Sequence, residues 1–388
     1  MTDEIDISDI LEDEVEESPA QSQVTPAIPD SPDSPARKEI AQLRDRLRVS
    51  HEHCRDLFVD MRTVDYIATP DDSYIEFLDK NYYDKRLYFK VDPQRPNDPK
   101  IIIAQQQFCK LLGIPYKFFA ANRPSLKMNI VKTWQAGLTA DESKAQSVLK
   151  IRESKDCSII RAFIPVTKCC VPLYELIDII LNGVTIPLTM EFVYGDERDD
   201  LILHARFLFN KEYTVLGSKV CVGFSLIASE LDASPFIIEI FLHDKEFATS
   251  YISTYGGDPF FKSKYDGIKA DQIKDLIPKM LNRIDSEAPE MIERVEKKVS
   301  DTMQSGFFCA ETECVSLLKA KGINGKVKKA VYHQITECQD KIKTPWDIAR
   351  HVGLVAKDLD SIKRLAVERA IGQYLRLTFS NPTTSYKK

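Results

Sequence analysis

The sequence predicts an α+β fold with an antiparallel sheet body, a helical C-terminal region and a disordered acidic N-terminal leader. Three observations carry this expectation. Four β-like runs, Leu188–Tyr194, Leu201–Phe209, Val220–Ile227 and Phe236–Leu242, follow one another with no helix-length crossover between them, which is the spacing of antiparallel pairing. Beyond residue 260 the apolar residues change to a helical period. Residues 1–35 hold five prolines and eleven carboxylates without a Lys or Arg, a composition that cannot bury a core. The 388 residues divide accordingly into a leader (1–35), a helical arm (36–62), an α+β body (63–260) and a helical basic region (261–388).

Each element has its own signal. In the leader, Ile5, Ile7, Ile10, Leu11 and Val15 alternate with carboxylates, which fits either a segment that folds on a basic partner or a solubilising tail. In the arm, Ile40, Leu43, Leu47, Ser50, Cys54, Leu57 and Met61 recur at three- and four-residue spacings, an a/d seam suited to self-association or to packing on its own domain. Leu87 to Val91 reads as a strand before the Pro93, Pro96 and Pro99 loop. Ile101 to Leu112 reads as a helix ended by Gly113, and Asn129 to Gly137 as another. Ser158 to Val166 is a strand and Leu173 to Leu181 a helix. Gly195 to Asp200 is rich in turn residues and makes a hairpin of the runs on either side. After Gly256-Gly257-Asp258-Pro259, Ile273 to Ile284 and Met291 to Met303 each keep one apolar face, with Pro278 as a kink or start position. Further helices are expected near 311–320, 326–340 and 346–377.

Composition narrows the function. No apolar run approaches the roughly 20 residues that span a bilayer, and the acidic start lacks the basic-then-apolar pattern of a secretion signal. Nine cysteines without a Cys-x-x-Cys pair read as reduced thiols, so the expected location is the cytoplasm. The adjacent Cys169-Cys170 reads as a packed segment. His51-Glu52-His53-Cys54 makes a poor metal site, because residues two apart on a helix point away from each other. Asp196, Glu197, Asp199 and Asp200 suit a solvated hairpin tip better than a cation site. Gly322 to Val327 lacks the spacing and the Ser or Thr of a phosphate loop and reads as a turn between helices. No nucleophile elbow or dinucleotide fingerprint occurs, so neither an enzymatic activity nor a cofactor is indicated.

The net charge of −6 conceals a strong asymmetry: residues 319–388 hold fifteen Lys and Arg against six Asp and Glu. Lys319, Lys321, Lys326, Lys328 and Lys329 crowd eleven residues that contain no acid, and Tyr332 follows. Lysines in that density neutralise phosphates and release counterions, and a neighbouring ring can stack on a base. These six residues form the candidate nucleic-acid site. The plainer interpretation of the same residues is a solvated lysine-rich helix start.

Two stretches resemble a known family. Ile160-Arg161-Ala162-Phe163-Ile164-Pro165-Val166-Thr167, followed by Leu173-Tyr174-Glu175-Leu176, is similar to the arginine-strand-then-helix segment of the phage/plasmid-like proteins grouped as domain of unknown function nine-three-two. Phe224 to Glu230 is similar to that family's Asn-Ser-Glu strand end, with Ala228 where Asn is usual, and Thr344-Pro345-Trp346-Asp347 resembles its ending. The family's Cys-Asn-Gly element is missing, since Phe247-Ala248-Thr249-Ser250 stands in its place. The resemblance implies a protein of phages, plasmids or their hosts and brings no settled activity. With the charge pattern, it gives the expectation of a mobile-element DNA-metabolism accessory that binds single-stranded DNA without strong sequence preference. The alternative is a non-enzymatic assembly factor working through the leader and the arm. The expected partners are nucleic acid, a basic protein for the leader and a second copy of the chain, with no membrane. Deleting residues 1–35 should leave the thermal midpoint unchanged in a calorimetric scan; an appreciable drop would make the leader part of the fold.

Overall fold

The computed structural model describes residues 35–70, 73–80, 82–89, 99–138, 145–153, 157–168, 171–184, 188–194, 202–232, 235–253, 261–263, 270–304, 306, 308–319, 323 and 325–378. Two six-stranded sheets, each with its own apolar core, account for the β content. The chain enters through helix α1 (Pro35–His51) and then forms β1 (Cys54–Asp60), β2 (Val64–Ala68), β3 (Ser73–Phe77) and β4 (Leu87–Tyr88). Helices α2 (Pro99–Leu112), α3 (Tyr116–Ala120) and α4 (Pro124–Ala136) precede β5 (Gln146–Glu153) and β6 (Ser158–Pro165), which complete the first sheet in the order β1-β5-β6-β4-β3-β2. All its pairs are antiparallel except β4 with β6.

This sheet has to curl. Six strands laid flat hold their outer members about 24 Å apart, at about 4.8 Å per step. Yet β1 and β2 lie at opposite ends of the order, and only the 3-10 turn Met61–Thr63 joins them. Four Cα steps reach about 15 Å at most. The sheet therefore closes into a partly open barrel, and the Tyr82 hydroxyl reaches over the gap to donate to the Phe58 carbonyl. Inside, Tyr66, Phe89, Phe108, Phe119 and Phe163 pack with centroids 5.2 to 5.9 Å apart. Burial pushes the Tyr66 hydroxyl up to about 12. Gly113, expected to end α2, does so with φ +77°. Its N–H reaches the Lys110 carbonyl at 3.1 Å and Ile114 N–H reaches that of Cys109 at 2.8 Å, the paired bonds of a Schellman cap.

Helix α5 (Leu173–Gly183) leads to the second sheet: β7 (Leu188–Tyr194), β8 (Leu203–Val215), β9 (Ser218–Ala228), β10 (Phe236–Asp244) and β11 (Thr249–Ile252), with β12 (Phe261–Ser263) also paired to β10. Every pair in it is antiparallel, as the spacing predicts, and β7 and β8 form the expected hairpin. One face carries Ala205, Phe207, Phe224, Ile238 and Ile240 into a core shared with α1, α5 and the C-terminal helices. Those are α6 (Ala270–Gln304), α7 (Ala310–Leu317), α8 (Gly325–Glu337), α9 (Pro345–Lys357) and α10 (Ser361–Tyr374). Helix α6 runs through both Pro278 and Pro289.

Strand alternation turns His204, Arg206 and Glu239 to the other face, where all three are buried. Helix α10 supplies their partners. Arg206 ion-pairs with Glu368, which also takes Arg364 at 2.8 Å, and Arg369 reaches Glu239 at 2.7 Å. Gly372 lets this helix lie against β11, since a Cβ there would overlap the Ile252 carbonyl oxygen.

A short segment after β9 ties the sheets together. Glu230, 5% exposed, accepts from the Arg161 guanidinium of β6 at 2.6 Å, with His51 Nδ1 3.5 Å away and the α5 backbone N–H of Leu173 at 3.4 Å. The Leu231 carbonyl accepts from Gln107 of α2 at 2.6 Å, and Asp232 pairs with Lys168 at 2.9 Å.

The arm needs correction. Only Pro35–His51 is helical, and Cys54–Asp60 is a strand with seven residues paired to β5. Positions 57, 59 and 61 differ by even numbers, so Leu57 and Met61 share a face on a strand as well as on a helix, and the spacing alone does not separate the two. Nor is the seam free for a second copy. Ile40 and Leu43 are each 2% exposed, packed in the chain's own core, and Arg44 and Arg48 both reach Asp178 of α5 at 3.1 Å. The expected strand Leu87 to Val91 is confined to Leu87–Tyr88 among the described residues. The stretch expected to be helical over 346–377 is two helices, because Asp360 caps a new one by accepting from Lys363 N–H. The leader, Cys169-Cys170, the 195–200 loop and Gly256 to Pro259 lie outside the described residues.

The buried charges make stability sensitive to substitution and to pH. Removing Glu230 strands Arg161, so Glu230→Ala should cost about 3–5 kcal/mol in urea unfolding, with much of that recovered when Arg161→Met is added. The same Glu230 makes stability acid-sensitive. Burial alone would raise its pKa, but the His51 hydrogen bond and the charge and hydrogen bonding of Arg161 outweigh it and hold the carboxyl at about 2, against an ordinary 4.5. A depressed folded pKa gives stability that is full above pH 4.5 and is lost as pH falls toward 2.

His204 acts at higher pH. Burial, and then Arg206, Arg369 and Arg364, lower its ring from 6.5 to about 3, so it is neutral in the fold and takes a proton on unfolding. Its contribution is full above pH 6.5 and declines as pH falls toward 3. Between pH 7 and 5 the chain should lose about 2 kcal/mol that His204→Gln does not lose, measured as the change in urea midpoint.

Candidate nucleic-acid interface

Helix α8 is held by one apolar stripe and presents a basic one. Val327, Val331 and Ile335 recur every four residues and are buried in the second core. The opposite side carries Lys326 and Lys329, both exposed, with Lys328 half-buried at its margin. Tyr332 is 43% exposed; it lies four residues from Lys328 and three from Lys329, helical neighbours about 5–6 Å apart. Lys319 is exposed in the turn after α7, and Lys321 lies outside the described residues. Five of the six expected site residues are therefore placed, four of them on one helix.

Among the described residues, Lys319, Lys326, Lys328 and Lys329 form no ion pair. The nearest carboxylate along the helix, Glu337, is taken by His333 at 3.1 Å. The first turn of α8 contains no acid. Positive side chains there oppose the helix dipole, whose N-terminal end is itself positive, and each such charge costs about 0.3–1 kcal/mol. Three lysines thus gather at the end of the helix whose dipole favours an anion. The solvent-exposed ring of Tyr332 sits one turn further along.

Of the expected turn Gly322 to Val327, Gly325 to Val327 open α8, while Gly322 and Asn324 lie outside the described residues. The His51 to Cys54 segment is not one helix: α1 stops at His51, which faces Glu230, while Cys54 opens β1 and lies 3.1 Å from the Arg161 guanidinium. Among the described residues, no group of three or more His, Cys, Asp or Glu is placed to hold a metal, and no helix is long and apolar enough to cross a membrane.

Sequence reasoning misses two clusters. The Arg161–Glu230 pair joins the two segments quoted for the family resemblance, which lie 69 residues apart. A buried Arg in an apolar strand is the available signal, because such a charge requires a partner. The second cluster surrounds Phe58, which is 71% exposed. Reading residues 54–60 as a helix conceals that Phe58 points away from Leu57 and Val59. Comparison of the chain with protein-family models, with curated proteins and with solved structures finds no match, so the functional reading rests on the geometry of the chain itself.

Proposed function

We propose that this chain binds single-stranded DNA without strong sequence preference, as a DNA-metabolism accessory of a phage or other mobile element working in the host cytoplasm. The observation that carries the reading is the placement of Lys326, Lys328 and Lys329, unpaired among the described residues, in and beside the first turn of α8. Cations there disfavour the helix, so their benefit lies in a partner rather than in the fold. A backbone phosphate meets the lysines at the helix end whose dipole favours an anion, and Tyr332 offers a base a stacking face. Contacts of this kind position a strand without reading its sequence. Annealing or recombination would use such a surface. In the rival reading, an assembly factor working through the acidic leader and the helical arm, the arm has less to offer a partner because its seam packs in the chain's own core.

The test is a fluorescence-anisotropy series on single-stranded DNA, duplex DNA and RNA across salt concentrations. Binding should weaken steeply with salt, and K326E/K328E/K329E should reduce the slope of log K against log salt by about 2, at about 0.7 for each phosphate that is no longer neutralised. Tyr332→Ala should cost about 1–3 kcal/mol of binding on single strands and less on duplex. The triple variant should unfold at the same temperature or higher, because the helix dipole then favours the new charges. Deleting residues 1–35 should tighten binding most at low salt, if the acidic leader competes for the same lysines. Absence of binding at low salt with the leader removed would sink the proposal.

A further inference from the structure

A second site lies on the barrel, apart from α8. Where β1 and the segment after β3 leave the barrel open, a pocket of about 390 Å³ is lined by Phe58, Phe77 and Tyr82, with Asp60 and Asp79 at its rim and Val166 on one side. No Lys, Arg or His lines it among the described residues. Its walls are fixed. The Tyr82 hydroxyl holds the Phe58 carbonyl, the Tyr82 N–H bonds the Asp79 carbonyl at 3.1 Å, and the Phe77 and Tyr82 rings lie 5.0 Å apart at 51°. Phe58 is 71% and Tyr82 49% exposed, so a strand and a turn present two aromatic side chains to solvent.

The chemistry of this lining selects by charge. Ring faces are electron-rich and attract cations, the more so where water is displaced. Two carboxylates add the same preference. Asp60 stays ionised through its hydrogen bonds with Arg62, which lower its pKa; Arg62 also offsets much of its charge, so the rings contribute most. An anion such as a phosphate finds no donor among these side chains except Thr63, Gln146, Ser147 and the Tyr82 hydroxyl, and the last is engaged with Phe58. A neutral apolar group would fill the space but gain nothing from the carboxylates.

We propose that this pocket binds an organic cation with an apolar envelope, a methylated ammonium group above all, held over the faces of Phe58 and Tyr82 beside Asp79. That group has two sources, a small free cation or a methylated lysine side chain on a basic polypeptide. The site is independent of the phosphate-binding reading of α8.

The experiment is calorimetric or NMR titration of the full chain with tetramethylammonium, with a peptide carrying trimethyllysine, with the same peptide unmethylated, and with neopentyl alcohol as a neutral group of similar shape. Tetramethylammonium should bind at least about five-fold more tightly than neopentyl alcohol. A still tighter methylated peptide would assign the source to a polypeptide; parity between peptide and free cation would assign it to the small molecule. Phe58→Leu keeps apolar bulk without a ring and should lose most of the cation's advantage, whereas Phe58→Trp should keep or increase it. Phe58 is exposed, so both variants should retain the parent thermal midpoint, and that is checked first. Equal binding of the neutral alcohol, preferential binding of a mononucleotide, or no cation binding would each overturn the proposal.

Discussion

The ion pair between Arg161 and Glu230 is the constraint on which the arrangement of the two halves depends. Two cores this extensive have no need to touch, because each has its own sheet and its own helices. They are held together where a turn after β9 inserts a carboxylate beside a strand of the other sheet. Burying two charges is expensive, and neighbouring polar groups offset part of that expense. Glu230 has the α5 backbone N–H and the His51 ring around it, and Arg161 also reaches the Cys54 sulfur at 3.1 Å. The end of α1, the start of β1, β6, the start of α5 and the end of β9 therefore meet at one buried point. Leu231 of the turn also packs on Ala162 and Ile164 of β6, which supplies adhesion, but the ion pair fixes which residue of the turn meets which residue of the strand.

The second sheet shows the same logic spread over a face. Its core side is conventionally apolar, while its other side buries His204, Arg206 and Glu239. Such a face cannot be left against hydrocarbon, and α10 brings Arg364, Glu368 and Arg369 to it from within six consecutive residues, which the helix presents on one broad side. This explains why α10 has little amphipathic character in the usual sense: one of its buried sides is charged. Arg206 in addition lies 4.8 Å from the centroid of the Phe241 ring, so its guanidinium plane is packed as well as paired.

How much of this was legible in the sequence depended on which periodicities were unambiguous. β7 to β10 were readable because β-branched and aromatic runs of strand length were separated by turn residues. The Gly113 cap was readable because only a glycine takes that φ without strain. The barrel was largely missed. Val64, Tyr66, Ile75 and Phe77 alternate correctly, but in five-residue strands interrupted by Asp, Glu and Ser, which is little signal against a polar background. β1 was misread because even spacings of four satisfy helix and strand alike. Of the candidate site, the lysines and Tyr332 were visible as composition. Their placement at a helix N-terminus was not, because the Gly322 to Val327 stretch reads as a turn while Gly325 to Val327 in fact open α8.

The structure also changes the meaning of the charge count. Residues 319–388 hold fifteen cations against six anions, which reads as a uniformly basic end. Three of the four arginines there are already committed to the fold: Arg350 to Asp244 and Glu246, Arg364 to Glu368, and Arg369 to Glu239. Their planar, multidentate groups suit buried pairing, and two of them draw their carboxylates from the middle of the chain. The lysines of α8, point charges on flexible stems, are left facing solvent. Part of the arithmetic excess is thus consumed inside the molecule, and the three lysines at the start of α8 are among the charges that remain for a partner. A ligand drawn by the net charge of the C-terminal region would meet it nowhere in particular; a ligand drawn by these lysines must come to α8.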